Sequence, residues 1–290
     1  MNGVKKNTDQ KVARPFVKWV GGKSKLVPIL ISYFPDEFNN YYEPFVGGGA
    51  LYFTVNPSKA YINDLNEVLI NAYINIKDRL DDVISALRLI ENEYIQLNSL
   101  ETKKEFYLSK RKLFNQLQND DFNKTILLIF INKTCFNGMY RENSKGEYNI
   151  PFGKHESPTI CDEKNLRLVS EHLKKTTITQ SSYEDAIKSA KKGDLIYFDP
   201  PYDPLNTTSS FTTYQAGGFT SRDQEKLRDT FKKLSDKGCY VMLSNSDTPL
   251  INELYKEFTI NKIYASRSIN SNGKKRGKVK EVLVTNYAKK

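Results

Sequence analysis

Apolar residues recur along this chain with two different periods, and the changes of period divide it into tracts. Residues up to Arg14 are polar and aperiodic and read as a loose leader. A short apolar run at 15–20 breaks at Gly21-Gly22 and passes into Leu26, Ile29, Leu30 and Tyr33 at helical spacing. Two glycines at a helix entrance let the backbone approach a ligand closely. Tyr41-Tyr42-Glu43-Pro44-Phe45 predicts a strand feeding the glycine triplet 47–49, with a helix opening at 50–54. A second strand, Ala60-Tyr61-Ile62-Asn63, ends at Asp64. From 65 to 133 apolar residues recur at three and four with few glycines or prolines, which predicts a helical insertion.

The pattern changes at 136–154. The turn dipeptides Asn137-Gly138 and Lys145-Gly146 flank Tyr140-Arg141-Glu142-Asn143 and Glu147-Tyr148-Asn149-Ile150, so a hairpin is expected. Alternating strands and helices then return, with strands at 177–179, 195–198 and 239–243 and a helix at 222–237. Segments 258–264 and 282–286 would close the sheet as an antiparallel pair, and 268–280 reads as a polar, basic link. The order predicts an α/β chain with a doubly wound, Rossmann-like sheet. Residues 1–64 and 165–290 would form one domain, and 65–164 an inserted helical subdomain carrying the hairpin.

At 290 residues such a two-part architecture fits the length, and 39% hydrophobic with 27% charged residues is ordinary for a globular protein. No apolar run approaches membrane-spanning length, the opening segment lacks a secretion-signal pattern, and the cytoplasm is the expected location. A formal charge of +10 favours polyanions without naming one. Cys135, Cys161 and Cys239 show no Cys-x-x-Cys spacing, and His155 and His172 are the only histidines. Neither a disulfide framework nor a metal site is expected.

Two constellations carry chemistry. Glu43-Pro44-Phe45-Val46-Gly47-Gly48-Gly49 follows a strand and opens a helix, and Asp64 arrives at the end of the next strand, where an acid in a nucleoside site bonds a ribose hydroxyl. A glycine triplet alone also occurs in plain tight connections. The acid and aromatic before the turn suit S-adenosylmethionine better than NAD. Asp199-Pro200-Pro201-Tyr202 sits behind the apolar run Leu195-Ile196-Tyr197-Phe198. A carboxylate, rigid imino acids and an aromatic face at a strand end can grip a planar exocyclic amine. In isolation the segment also reads, less favourably, as a proline-rich loop ending a strand.

Lys18-Trp19-Val20-Gly21-Gly22-Lys23, the 43–49 motif, Asn63-Asp64-Leu65-Asn66, Phe136-Asn137-Gly138-Met139-Tyr140-Arg141, Tyr148-Asn149-Ile150-Pro151-Phe152-Gly153 and Asp199-Pro200-Pro201-Tyr202 occur in that order. Together they resemble the DNA adenine methyltransferase (Dam) family, the alpha-order N6-adenine enzymes, and are most similar to DpnII-type methylases that modify GATC. The resemblance runs from about Pro15 to Tyr287. It implies a cofactor site for S-adenosylmethionine built from Trp19, Gly21, Lys23, Glu43, Phe45, Gly47, Asp64 and Asp199. Lys23 would reach the methionine carboxylate.

Adenine N6 is a poor nucleophile because its lone pair is spread into the ring. The resemblance implies that Asp199 and the Pro200 carbonyl accept its hydrogens, with Pro201 and Tyr202 completing the catalytic segment and Tyr202 stacking on the extruded base. Double-stranded DNA is the implied partner. Arg141 would fork onto guanine, Phe136, Asn137 and Met139 would wedge near the flipped base, and Pro151 would touch a neighbouring pair. Lys154-His155 departs from the Arg-Tyr of close relatives, which weakens bidentate phosphate grip at that point. Lys274, Lys275 and Arg276 in the basic link would settle on phosphates, or the link is simply solvated. The Lys103–Lys112 charges read as a solvated helix face.

The resemblance implies a modification enzyme accompanying a restriction endonuclease, or a solitary methylase. Two alternatives stand beside it. One is a methyltransferase-like DNA-binding protein without turnover. The other is a glutamine-amide methyltransferase acting on proteins, a group that usually has Asn where Asp199 stands and lacks the hairpin.

Overall fold

The structure is a computed structural model that describes residues 12–205, 218–266 and 278–288. Within them a seven-stranded sheet has the order β3-β2-β1-β4-β5-β7-β6. The strands are β1 (Tyr41–Glu43), β2 (Ala60–Asn63), β3 (Thr176–Thr179), β4 (Leu195–Phe198), β5 (Tyr240–Ser246), β6 (Thr259–Ser266) and β7 (Lys278–Thr285). The first five are parallel, and β7 runs antiparallel between β5 and β6. The doubly wound expectation holds. The closing pair was also expected, but β7 begins at Lys278, inside the tract expected to be link.

The central strands are apolar at nearly every position because both faces are covered. Successive side chains point to opposite faces. Tyr41, Leu195, Tyr197, Met242 and Leu283 join one core, and Tyr42, Ile196, Phe198, Val241, Leu243, Val282 and Val284 join the other.

The larger core also takes up α1 (Val27–Ile31), α2 (Ala50–Val55), α3 (Glu67–Asp78) and the helices α4 (Leu80–Ile95), α5 (Leu100–Gln116), α6 (Phe122–Thr134) and α7 (Glu163–Leu173). The smaller core is covered by α8 (Tyr183–Ala186), α9 (Ser221–Asp236) and α10 (Pro249–Leu254). Helix α6 is buried at almost every position and packs against α3, α4 and α5. The helical run expected at 65–133 is thus four helices with short connections.

Strand β1 pairs with β4, with Tyr41 opposite Leu195 and Tyr42 opposite Ile196. From β1 the chain moves outward through β2 to β3, and it returns to β4 on the other side. This is the topological switch point of an open α/β sheet, where the loops leaving two adjacent strands part and open a crevice. The segments at 43–49 and 199–202, distant in sequence, therefore emerge side by side.

Candidate functional site

Three segments meet at the switch point. The glycine turn after β1 needs left-handed backbone at Gly47 (φ 47°) and Gly49 (φ 71°). Space demands glycine too: a Cβ at Gly47 would lie 2.9 Å from Trp19 Cδ1, and one at Gly49 would lie 2.7 Å from the Tyr73 hydroxyl oxygen. Tyr73 on α3 donates to the Gly47 carbonyl at 2.9 Å. Trp19 is thereby seated directly against the turn, and it stacks on Tyr140 at 4.7 Å between centroids.

Asp64 leaves β2 and accepts from Gly47 N at 3.0 Å and Asn66 N at 2.9 Å. Burial pushes its carboxyl upward, opposed by those backbone donors. Asn63, buried beside it, donates to the carbonyls of Pro44 and Ser181 and accepts from Thr179 and Ser181, tying together the ends of three strands. Phe45 is half-buried among Tyr183, Phe198 and Phe219.

Glu43 is buried and accepts from the Tyr41 hydroxyl at 2.7 Å. Burial pushes its carboxyl up to about 8, and the nearby Asp199 charge adds to the rise. Asp199 is itself raised by burial, with Lys23 opposing. Lys23 Nζ lies 2.9 Å from Asp199 Oδ1, donates to the Gly21 carbonyl at 2.7 Å and sits 4.7 Å from the centre of the Tyr202 ring. The lysine expected to reach a cofactor carboxylate is thus engaged with the acid of the second motif.

The 199–203 loop is held from outside. Tyr202 donates its hydroxyl to Glu281 Oε2 at 3.0 Å, Gln224 Nε2 donates to the Pro201 carbonyl at 3.0 Å, and Asp203 N donates to Asn245 Oδ1 at 2.9 Å. Sequence reasoning missed Gln224, Asn245 and Glu281. The one available signal was Ser244-Asn245-Ser246, polar residues ending an otherwise apolar strand.

The expected hairpin is present in a short form, in which Asn143 N donates to the Glu147 carbonyl at 2.9 Å. Isolated bridges join Cys135 to Phe152 and Glu142 to Tyr148, and Asn149 N donates to the Arg141 carbonyl at 3.2 Å. Asn137 (φ 58°) and Gly138 (φ 65°) form the tight turn, with Met139 N donating to the Phe136 carbonyl at 3.4 Å. Phe136, Asn137, Arg141, Pro151, Lys154 and His155 are exposed, whereas Met139 is half-buried against the core. The expected wedge therefore divides: Phe136 and Asn137 project, and Met139 packs. Arg141 donates from Nε to Asn149 Oδ1 at 2.9 Å, which orients the guanidinium.

Helix α5 supports this loop, which corrects the expectation of a solvated face for Lys103 and Arg111, whereas Lys104, Glu105 and Lys112 are exposed as expected. Asn115 pairs with both backbone groups of Tyr148, at 2.9 and 3.1 Å. Arg111 and Tyr107 both donate to the Ile150 carbonyl, and the buried Lys103 donates to that of Glu156. Buried Asn132 joins the two halves of the site, accepting from Lys18 N at 2.8 Å and donating to the carbonyls of Lys18 and Gly138. Lys274, Lys275 and Arg276 lie outside the described residues. Among the described residues no helix is long and apolar enough to cross a membrane.

Residues 19–269 match the family model of the D12 class N6 adenine-specific DNA methyltransferases. The chain is 43% identical to the type II methyltransferase M1.LlaDCHI of Lactococcus lactis subsp. cremoris, over 94% of this chain and 95% of that protein. It is 40% identical to the type II methyltransferase M.MjaIII of Methanocaldococcus jannaschii, over 94% and 99%. With the DNA adenine methylase of Escherichia coli strain K12 it shares 34% identity over 94% and 95%.

Proposed function

Because the chain belongs to the D12 class of N6 adenine-specific DNA methyltransferases, an enzyme family that methylates adenine in DNA at defined sites, we propose that it moves the methyl group of S-adenosylmethionine to an adenine turned out of duplex GATC. The observation that carries this reading is the pairing of β1 with β4, which brings the glycine turn and the Asp199 loop to one crevice.

The residues at the turn fit the cofactor. Gly47 cannot bear a side chain beside the Trp19 indole. Asp64 accepts from backbone donors on both oxygens and keeps acceptor capacity for a ribose hydroxyl. Trp19, Gly21, Glu43 and Phe45 complete the walls. When bound, S-adenosylmethionine supplies a methyl group on a sulfonium that needs no further activation.

The protein's share is to prepare the nitrogen. Asp199 and the Pro200 carbonyl accept the two N6 hydrogens, drawing the lone pair out of ring conjugation and aiming it along the line of attack. Asp199, as carboxylate, takes the proton released once the new N–C bond has formed. Tyr202 offers a face to the extruded purine, whose unstacking costs a few kcal/mol. Lys23 now lies over that face and must move aside as the base enters.

Residues 1–64 and 165–290 act as the catalytic domain and 65–164 as the target-recognition subdomain. Arg141, oriented by Asn149, reads a guanine, with Phe136 and Asn137 near the vacated stack and Pro151, Lys154 and His155 along the duplex. The type II names of two similar proteins support a place beside a restriction endonuclease. Sequencing of modified bases in DNA from cells expressing the protein tests this reading. N6-methyladenine confined to GATC is expected, and modification at another sequence overturns the GATC assignment.

A further inference from the structure

Pro200 and Pro201 have no backbone N–H, so the loop leaving β4 lacks the donors by which most turns hold themselves. Its position must come from elsewhere. Two buried amides supply it: Asn245, 0% exposed at the end of β5, and Gln224, 1% exposed in the first turns of α9. Because β5 pairs in parallel with β4, with Leu243 opposite Phe198, the last residues of β5 lie alongside the loop that leaves β4.

The hydrogen bonds run in one sense only. Asn245 Oδ1 accepts from Asp203 N at 2.9 Å and Ser246 N at 2.8 Å, so the oxygen end of this amide is fixed by two donors. Its Nδ2 must then donate, and does so to Gln224 Oε1 at 3.1 Å. That bond turns Gln224 Nε2 toward the Pro201 carbonyl, 3.0 Å away. Residues 201 and 203 are clamped, while no described residue donates to the Pro200 carbonyl.

We propose that Gln224 and Asn245 are the positioning pair of the adenine-binding loop, occupying the Pro201 carbonyl so that the Pro200 carbonyl remains the loop's free acceptor for adenine N6. This rests on the reading of 199–202 as the adenine-binding segment. Neither amide touches the base. Their effect is on kcat, because misplacing the acceptor weakens an interaction made in the transition state and leaves ground-state binding nearly intact.

Gln224→Glu provides the test. A protonated glutamic acid can still give a proton to the Pro201 carbonyl while accepting from Asn245, whereas the carboxylate repels that carbonyl. The variant's kcat on a duplex oligonucleotide is expected to approach the parent's at low pH. It should fall by about 10²-fold as the buried acid ionises, a loss of the size that acceptor misplacement produces. KM values for S-adenosylmethionine and DNA should stay close to the parent's, and the parent should lack this limb.

Asn245→Asp is the second variant. It keeps the oxygen that accepts from Asp203 and Ser246 but, once ionised, loses the donor to Gln224, and the same selective loss of kcat is expected. Parental kcat across the pH range in either variant, with folding verified by circular dichroism, overturns the proposal. Asp199→Ala is assayed alongside. If it is active, the reading of the loop itself fails; if it is inactive while both amide variants turn over normally, only the positioning role fails.

Discussion

Lys23 Nζ and Asp199 Oδ1 form an ion pair at 2.9 Å in which the two side chains are only 10% and 17% exposed. The lysine comes from the segment that seats Trp19, and the acid from the loop after β4. Their pairing makes the charge of the carboxylate proposed to accept from adenine N6 depend on a lysine of the Gly21-Gly22 segment.

Burial already raises the Asp199 carboxyl, and Lys23 is the principal force holding it down. Removing the amine in Lys23→Ala lets that carboxyl rise further. The acid limb of the kcat/KM profile for DNA, which reports the free enzyme, is expected to move to higher pH, since Asp199 must be ionised to accept. Rates measured across pH at saturating cofactor and DNA below KM check the shift; an unmoved limb contradicts it.

Glu43 holds its proton up to about pH 8 in the folded protein, against an ordinary carboxylate range near 4.5. A carboxyl whose folded pKa exceeds its unfolded one binds protons more tightly when folded. Stability therefore declines as pH rises between those two values and levels above the higher one. Glu43→Gln, neutral throughout, should show a shallower decline over that window in urea unfolding followed at several pH values. Because Asp64 and Asp199 are raised as well, part of the slope remains.

Trp19 is the only tryptophan in the chain, so its fluorescence reports on the glycine turn directly. Gly47→Ala sets a methyl 2.9 Å from the indole at φ 47°, a backbone region that costs an alanine about 1–2 kcal/mol. Displaced emission in the free protein and about tenfold weaker S-adenosylmethionine binding are expected, the energetic equivalent of about 1.4 kcal/mol. Fluorescence titration measures both.

Arg141→Ala should lose about 1–3 kcal/mol of discrimination at the guanine it reads. Asn149→Ala frees the guanidinium from its 2.9 Å anchor, and should lose part of that discrimination while keeping the charge. Relative kcat/KM on oligonucleotides with single-base changes in the site gives the two figures. Equal selectivity in parent and both variants excludes this arginine from base reading.

The strands and the glycine turn were legible in the sequence because their causes are local. Tyr41 to Phe45 is rich in aromatics and then broken by glycines, and Leu195 to Phe198 is apolar and then broken by prolines. The helices of the insertion announced themselves by period. What escaped was held by distance. Lys103 and Arg111 read as surface charges because nothing nearby in sequence reveals that the carbonyls of Glu156 and Ile150 lie across from them. Gln224 looks like one more polar residue of an amphipathic helix, and its target, the Pro201 carbonyl, becomes apparent only when β5 is laid beside β4. Met139 shows the converse. Its neighbours Phe136 and Asn137 project from the tight turn, but the turn swings Met139 back onto the core.

The central claim is that the Asp199 loop prepares adenine N6 for a methyl donor seated at the Gly47 turn. Its most direct test compares parent and Asp199→Ala on a GATC duplex with isotopically labelled S-adenosylmethionine, analysing digested nucleosides by mass spectrometry and cofactor binding by Trp19 fluorescence. The parent should yield labelled N6-methyladenine, and the variant none despite retaining measurable cofactor binding. Labelled N6-methyladenine formed by Asp199→Ala at the parental rate would contradict the account.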